Sequence, residues 1–273
     1  MDLQLSGRTA LVTGAASGIG AATARELARE GARLVLVDVD KQGLADVAAE
    51  IEIETELDTR EGPRHVEVTA DLATAEGVAA AMREALAATG GGVDILVSNA
   101  GVCPWRSLAQ LTDADWRATW ELNFMGTVRA VTWLLPGMVQ RGRGAIVITA
   151  SDLARQPEAA PADYQVSKVS LVSYMKSLAI EAAPVRVNAV APGPTWTALW
   201  RRPGGIADDL SRRHGLPPAE AVDHELRLRQ LPLGRIGQPA EIASVIAFLA
   251  SDRASFVTGS VWGVDGGSIR GLF

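Results

Sequence analysis

Tyr164 and Lys168 stand four residues apart in the run Tyr164-Gln165-Val166-Ser167-Lys168. On a helix that spacing puts both side chains on one face. A free phenol ionises near pH 10, and an ammonium within a few ångströms lowers that value by favouring phenolate. Hydride transfer from an alcohol carbon needs the hydroxyl proton removed at the same time, so such a tyrosine suits a nicotinamide partner. By itself the pattern is weak, because Tyr and Lys at this spacing also form ordinary surface pairs.

A second motif lies near the start of the chain. In Thr13-Gly14-Ala15-Ala16-Ser17-Gly18-Ile19-Gly20 the glycines fall between an apolar run and an Ala-rich stretch. Gly14 allows a sharp turn, Gly18 leaves room for a pyrophosphate, and Gly20 permits close packing of helix on sheet. The N–H groups and dipole of the following helix, beginning near Ser17 and Ile19, then face an anion. A glycine trio alone could be only a tight turn. Asp38 follows Gly20 at about the spacing of an acidic residue that accepts hydrogen bonds from an adenosine ribose and repels a 2′-phosphate. The expected cofactor is therefore NAD(H). Lys41 nearby could tolerate the extra phosphate, while Asp40 is better placed than Asp38 to cap the next helix.

These residues need a scaffold. Short β-branched runs at Thr9–Thr13, Arg33–Asp38, His65–Thr69, Asp94–Val97, Ala145–Thr149, Val185–Val190 and Val261–Val264 alternate with Ala- and Leu-rich stretches. The latter predict helices at about 18–30, 41–57, 74–89, 112–140, 162–182 and 239–250. Most of the strand runs are apolar throughout, as in a parallel sheet covered on both faces. The order is that of an α/β, doubly wound fold with seven parallel strands. Residues 51–64 read as a helix extension and a solvated loop. Residues 194–230 hold Pro194, Pro203, Pro217 and Pro218 and are too long for a simple connection, so they predict a lid. No linker, charge block or repeat divides the 273 residues, which read as one domain.

Bulk properties narrow the partners. A net charge of −6 offers no footprint for nucleic acid or an anionic membrane, leaving a small molecule. Cys103 is the only cysteine, which excludes an intrachain disulfide and a paired-thiolate metal site and suits a reducing cytoplasm. No apolar run is long enough to span a bilayer, and the first residues lack the pattern of a signal peptide.

From about Leu5 to Ile269 the chain resembles the short-chain dehydrogenase/reductase family. The likeness rests on TGAASGIG at 13–20, Asp71-Leu72, SNAG at 98–101, Asn123, Ser151, YQVSK at 164–168, NAVAPG at 188–193 and TGSVWGVDGG at 258–267. It implies a single Rossmann-like domain in which Ser151 binds the substrate oxygen, Tyr164 handles its proton and Lys168 assists. Asn123 would position a water linking Lys168 to solvent, or serve only to kink its helix. Asp71, with the Leu72 backbone, would bind the adenine edge. Asn99 and Gly101 would support the adenosine half, although Ser98 stands where the family usually has another asparagine. Pro192 and Gly193 would lie beside nicotinamide, Thr195 would bind its carboxamide, and Thr197 would contact pyrophosphate or cap a lid helix.

The pocket walls implied by the likeness offer Trp105, Leu153, Trp196 and Trp200, pointing to a flat, apolar cyclic or aromatic alcohol or ketone. Tryptophans at a lid also serve simply as packing. Arg201 and Arg202 could bind a carboxylate or form an exposed basic lid. Apolar residues on helix 112–140 (Trp116, Trp120, Phe124, Val131) and on 162–182 (Val169, Val172, Leu178) exceed what one sheet face needs. The likeness implies that these helices pair between subunits as homotetramers or homodimers. Rival readings are a dihydrodiol dehydrogenase, dehydratase or epimerase, an NADP(H)-dependent carbonyl reductase, and a nucleotide sensor without activity.

Overall fold

A computed structural model describes residues 2–55 and 65–271. Seven strands form one parallel sheet: β1 (Thr9–Thr13), β2 (Arg33–Asp38), β3 (His65–Thr69), β4 (Ile95–Ser98), β5 (Ala145–Thr149), β6 (Arg186–Pro192) and β7 (Val261–Val264). Their spatial order is β3-β2-β1-β4-β5-β6-β7. The order reverses between β1 and β4, where the chain first winds outward one way and then the other. At that point the connections leave the carboxyl edge in opposite directions and open a crevice.

The central strands, apolar along their middles, are covered on both faces. Helices α1 (Gly18–Arg29), α2 (Lys41–Glu54) and α10 (Pro239–Ala250) bury Leu27, Leu44 and Ile246 against one face. The opposite face is covered by α3 (Ala75–Ala88), α5 (Gly126–Gln140) and α6 (Ala162–Glu181), which contribute Met82, Leu134, Met138 and Met175. Asp40 caps α2 by accepting from the Gly43 amide at 3.1 Å, the job expected of it. Helix α2 stops at Glu54, and the loop expected within 51–64 falls largely outside the described residues.

The helix expected over 112–140 is not continuous. It divides into α4 (Asp113–Trp120), one π-helical turn at Glu121–Met125, and α5. A π turn inserts one residue into the helical ladder and changes which side chains face inward. Here it carries Asn123 to complete burial.

The lid contains α7 (Ala198–Arg201), α8 (Ile206–His214) and α9 (Pro218–Leu228). Trp200, Ile206, Leu210, Val222, Leu226 and Leu231 form its own apolar cluster. Two residues assigned to the surplus apolar stripe are instead core in this chain: Val131 and Leu178 pack in the second sheet layer. Trp120, Phe124 and Tyr174 also meet internally, with successive ring centroids 4.4 and 5.9 Å apart. Val169 remains exposed.

Candidate active site

The carboxyl ends of β1, β2, β4, β5 and β6 open into a cavity of about 510 Å³. Gly14, Ser17, Gly18, Ile19, Asp38, Asp71 and Leu72 line it toward the turn after β1. Asn99, Gly101, Ser151, Tyr164, Lys168, Pro192, Gly193, Thr195 and Thr197 lie on the same wall system. Residues from Gly14 to Thr197 are thus gathered in one place by strand register.

Local contacts explain the shape of the glycine turn. Gly14 has φ +68°, and a Cβ there would come within 2.9 Å of Ala100 Cα and Asn99 Nδ2. Gly20 lies behind the wall, where a Cβ would overlap the Gly14 carbonyl oxygen. Asn99 Nδ2 donates to the Thr13 and Gly14 carbonyls at 3.2 and 3.3 Å, locking β4 to the turn. Asp38 Oδ2 accepts from the Ala16 amide at 3.0 Å, which fixes a carboxylate at the outer end of the cavity. Asp71 Oδ1 accepts from Ala73, while Thr74 caps α3, so Asp71 itself is not the cap. Thr197 precedes α7 but makes no capping bond with its side chain. Its methyl instead faces Gly18, 3.2 Å from where a Cβ would stand.

At the inner end, Ser151 Oγ donates to Asp152 Oδ1 at 3.1 Å and accepts from the Leu153 amide at 3.2 Å. Asp152 Oδ2 accepts from Ser268 at 3.1 Å. Burial raises the Asp152 carboxyl above its ordinary value, against the hydrogen bonds from Ser151 and Ser268. Lys168, 4% exposed, donates Nζ to the Thr149 carbonyl at 2.8 Å and lies 5.6 Å from the Tyr164 ring centroid.

The electrostatic expectation for Tyr164 is corrected here. Burial pushes its phenol above the usual value, opposed by Ser151, and it pushes Lys168 down to about 8. In this geometry desolvation disfavours phenolate, and the opposing influence comes from the Ser151 hydroxyl rather than from the Lys168 ammonium that was expected to supply it. Lys168 should also cost stability. Lys168→Met is expected to raise the midpoint of chemical denaturation at pH 7. An ammonium titrating lower in the folded chain than in the unfolded one gains stability as pH rises from about 8 to 10.5. The advantage of the Met variant should therefore shrink over that range; a gain independent of pH would contradict the burial penalty.

Asn123 uses its amide on protein groups. Oδ1 accepts from the Val102 amide at 2.9 Å, and Nδ2 donates to the Val102 carbonyl at 3.0 Å and to Ser167 Oγ at 3.1 Å. It is not on the cavity wall, but a Cβ at Gly101 would lie 3.1 Å from its Oδ1 and 3.5 Å from Lys168 Nζ. Asn123 therefore orders the loop against which Lys168 packs.

The chain matches, over residues 14–268, a family model described as enoyl-(acyl carrier protein) reductase, within the short-chain dehydrogenase/reductases. Cis-4-hydroxycyclohexanecarboxylate dehydrogenase of Sinomonas cyclohexanicum is 41% identical over 263 residues, covering 95% of this chain and 96% of that one. The 3-oxoacyl-(acyl-carrier-protein) reductase FabG of Thermotoga maritima is 34% identical over 269 residues, covering 98% and 100%. L-sorbose reductase from Gluconobacter frateurii, solved with NADPH and L-sorbose, superposes with a TM-score of 0.90 at 36% identity over all of both chains. The chain belongs to the short-chain dehydrogenase/reductase family. It is an oxidoreductase of the kind that acts on alcohols and ketones.

The turn of this short-chain dehydrogenase/reductase fits the nicotinamide nucleotide that the family binds. Side chains at Gly14 or Gly20 would fill the cradle, and Thr149 Oγ1 is buried at the cavity wall without a hydrogen-bond partner. Of the substrate candidates, Trp105, Leu153 and Trp200 line the cavity. Trp196 lies off its wall, its ring tilted against that of Trp200 with centroids 6.2 Å apart, and under Arg201.

Sequence patterns missed how the lid is fastened. Arg229, the C-cap of α9, donates to Glu158 at 3.0 Å and to Glu225 at 3.2 Å, while Glu225 also meets His214 at 2.9 Å. Arg213 on α8 lies 5.0 Å above the Trp105 ring. Glu225 and Arg229 share a helix face at i, i+4, a signal present in the sequence. The contacts to Glu158 and Trp105, and that of Ser268 to Asp152, join segments too distant for any pattern to pair.

Proposed function

We propose that the whole chain works as one dinucleotide-binding and catalytic unit, an NAD(H)-dependent enzyme interconverting a secondary alcohol and a ketone on an apolar cyclic substrate. The observation that carries this is a single cavity with the Asp38 carboxylate at one end and Ser151, Tyr164 and Lys168 at the other. Gly14, Ser17, Gly18, Ile19 and Gly20 would form the pyrophosphate cradle, aided by Thr197. Asp71, Leu72, Asn99 and Gly101 would hold the adenosine half; Pro192, Gly193 and Thr195 would hold the nicotinamide end. Bound nicotinamide supplies or accepts the hydride at the carbonyl carbon.

The protein's part is proton and charge control at one oxygen. Ser151 holds the carbonyl oxygen by hydrogen bonding while neutral Tyr164 gives it a proton, leaving an alcohol; in reverse, Tyr164 takes that proton. Lys168 keeps positive charge beside the tyrosine as its proton moves. Asn123 fixes the loop packed against Lys168 and would position a water linking that lysine to solvent. The walls formed by Trp105, Leu153 and Trp200 favour a ring, in keeping with a relative named for a cyclohexane substrate. Function in the cytoplasm as a homotetramer or homodimer belongs to the same proposal.

Asp38 makes the cofactor testable. A 2′-phosphate beside its carboxylate would meet like charge, so kcat/KM should favour NAD+ over NADP+ on the order of 100-fold. Asp38→Asn should narrow that ratio. Preference of the parent enzyme for NADP+ would sink the assignment, and is a live contrast because the sorbose reductase was solved with NADPH. Binding of NADH with no turnover of any alcohol or ketone would favour a sensor instead.

A further inference from the structure

The substrate end of the cavity has an unequal distribution of charge. Three cations line the whole cavity: Lys168, Arg202 and Arg229. Lys168 is committed to the Thr149 carbonyl beside Tyr164. Arg229 is committed to Glu225 and Glu158. Arg202 has no carboxylate within 4.0 Å among the described residues.

The cavity carboxylates near the substrate end are already engaged. Asp152 accepts from Ser151, Ser268 and the Leu153 amide. Glu225 is met by His214 and Arg229. Arg202 lines the cavity and is exposed to solvent. Its neighbours on the wall are apolar: Trp105, Leu199, Trp200, Ile206 and Leu210. An anion entering among such walls loses hydration and needs a compensating partner. A guanidinium is suited to that purpose because its fork matches the two oxygens of a carboxylate.

We infer that Arg202 is a carboxylate anchor, and that the substrates are cyclic hydroxy acids and their keto acids, held with the ring against the tryptophans and the carboxylate at Arg202. The hydroxyl-bearing carbon then lies at Ser151 and Tyr164, on the far side of the ring from the acid group. This substrate class rests on the alcohol and ketone reading above, whereas carboxylate binding at Arg202 does not.

Two measurements separate these. Cyclohexanecarboxylate has no hydroxyl to oxidise, so its saturable quenching of tryptophan fluorescence reports binding without turnover. Arg202→Gln should weaken that binding about 10- to 100-fold, the usual effect of losing a charged hydrogen-bonding partner. Arg202→Lys should recover part of it by keeping the charge. In turnover, kcat/KM for 4-hydroxycyclohexanecarboxylate relative to its methyl ester should fall by a similar factor in Arg202→Gln. No quenching in the parent, or quenching equally strong in Arg202→Gln, would overturn the anchor. Parent turnover that favours the methyl ester would overturn the substrate class. Carboxylate binding that depends on Arg202, with no turnover of either compound, would uphold the anchor and defeat the redox reading.

Discussion

Tyr164→Phe is expected to bind NADH with the affinity of the parent and to turn over alcohol about 100- to 10,000-fold more slowly, the usual contribution of a positioned acid or base. The substitution removes one oxygen from a half-buried ring and leaves the cradle around Gly14 untouched. Its effect should therefore fall on kcat. Fluorescence titration with NADH and steady-state rates on the same preparation check both halves of the expectation. Near-normal kcat would mean that another group handles the proton, and the central assignment would fail. Loss of NADH binding along with activity would mean that the ring oxygen supports the nucleotide instead.

Gly20→Ala should have a comparably large effect through a different cause. Gly20 lies in the first turn of α1, and alanine is intrinsically favoured over glycine in a helix by about 1 kcal/mol. Judged by propensity, the variant should gain stability. Packing opposes this: the new methyl would overlap the Gly14 carbonyl oxygen and approach Asn99 Nδ2 to 2.7 Å. Backbone cannot yield there without opening the turn that Asn99 locks to β4. Overpacking of this kind costs roughly 1–3 kcal/mol, and the displaced turn should weaken NADH binding as well. Thermal denaturation and NADH titration provide the check. A rise in melting temperature with unaltered affinity would show that helix and turn are less closely packed than described.

The sheet was legible in the sequence because its cause is local. A strand covered on both faces is apolar along its middle, and β1, β2, β4 and β5 are so between their ends. Boundaries were less secure: β4 runs one residue later than expected, and β6 continues to Pro192. The π turn at Glu121–Met125 had no signature in residue type, because the composition stays helical on both sides of it. Asn123 was nonetheless identified by family likeness, while its bonds to Val102 became visible only in three dimensions.

Burial was the other quantity hidden from the sequence. The four-residue spacing placed Lys168 near Tyr164, but not how deeply either side chain is enclosed. Loss of water around the phenol decides the sign of its shift. Likewise Trp105 and Trp196 looked equivalent as pocket tryptophans. Fold geometry puts one on the wall and leaves the other partly buried against the apolar cluster of the lid.

The apolar cluster of the lid has a consequence for how such a protein can diversify. Trp200, Leu210, Val222 and Leu226 find their partners mainly on one another, so this segment carries much of its cohesion with it. Residues that shape the substrate wall can be exchanged as a cassette while the sheet retains its two packed faces. Catalytic chemistry and molecular choice are thereby inherited on separable pieces of one chain, and grafting 196–231 from a relative is a route to new selectivity on an unchanged proton-transfer apparatus.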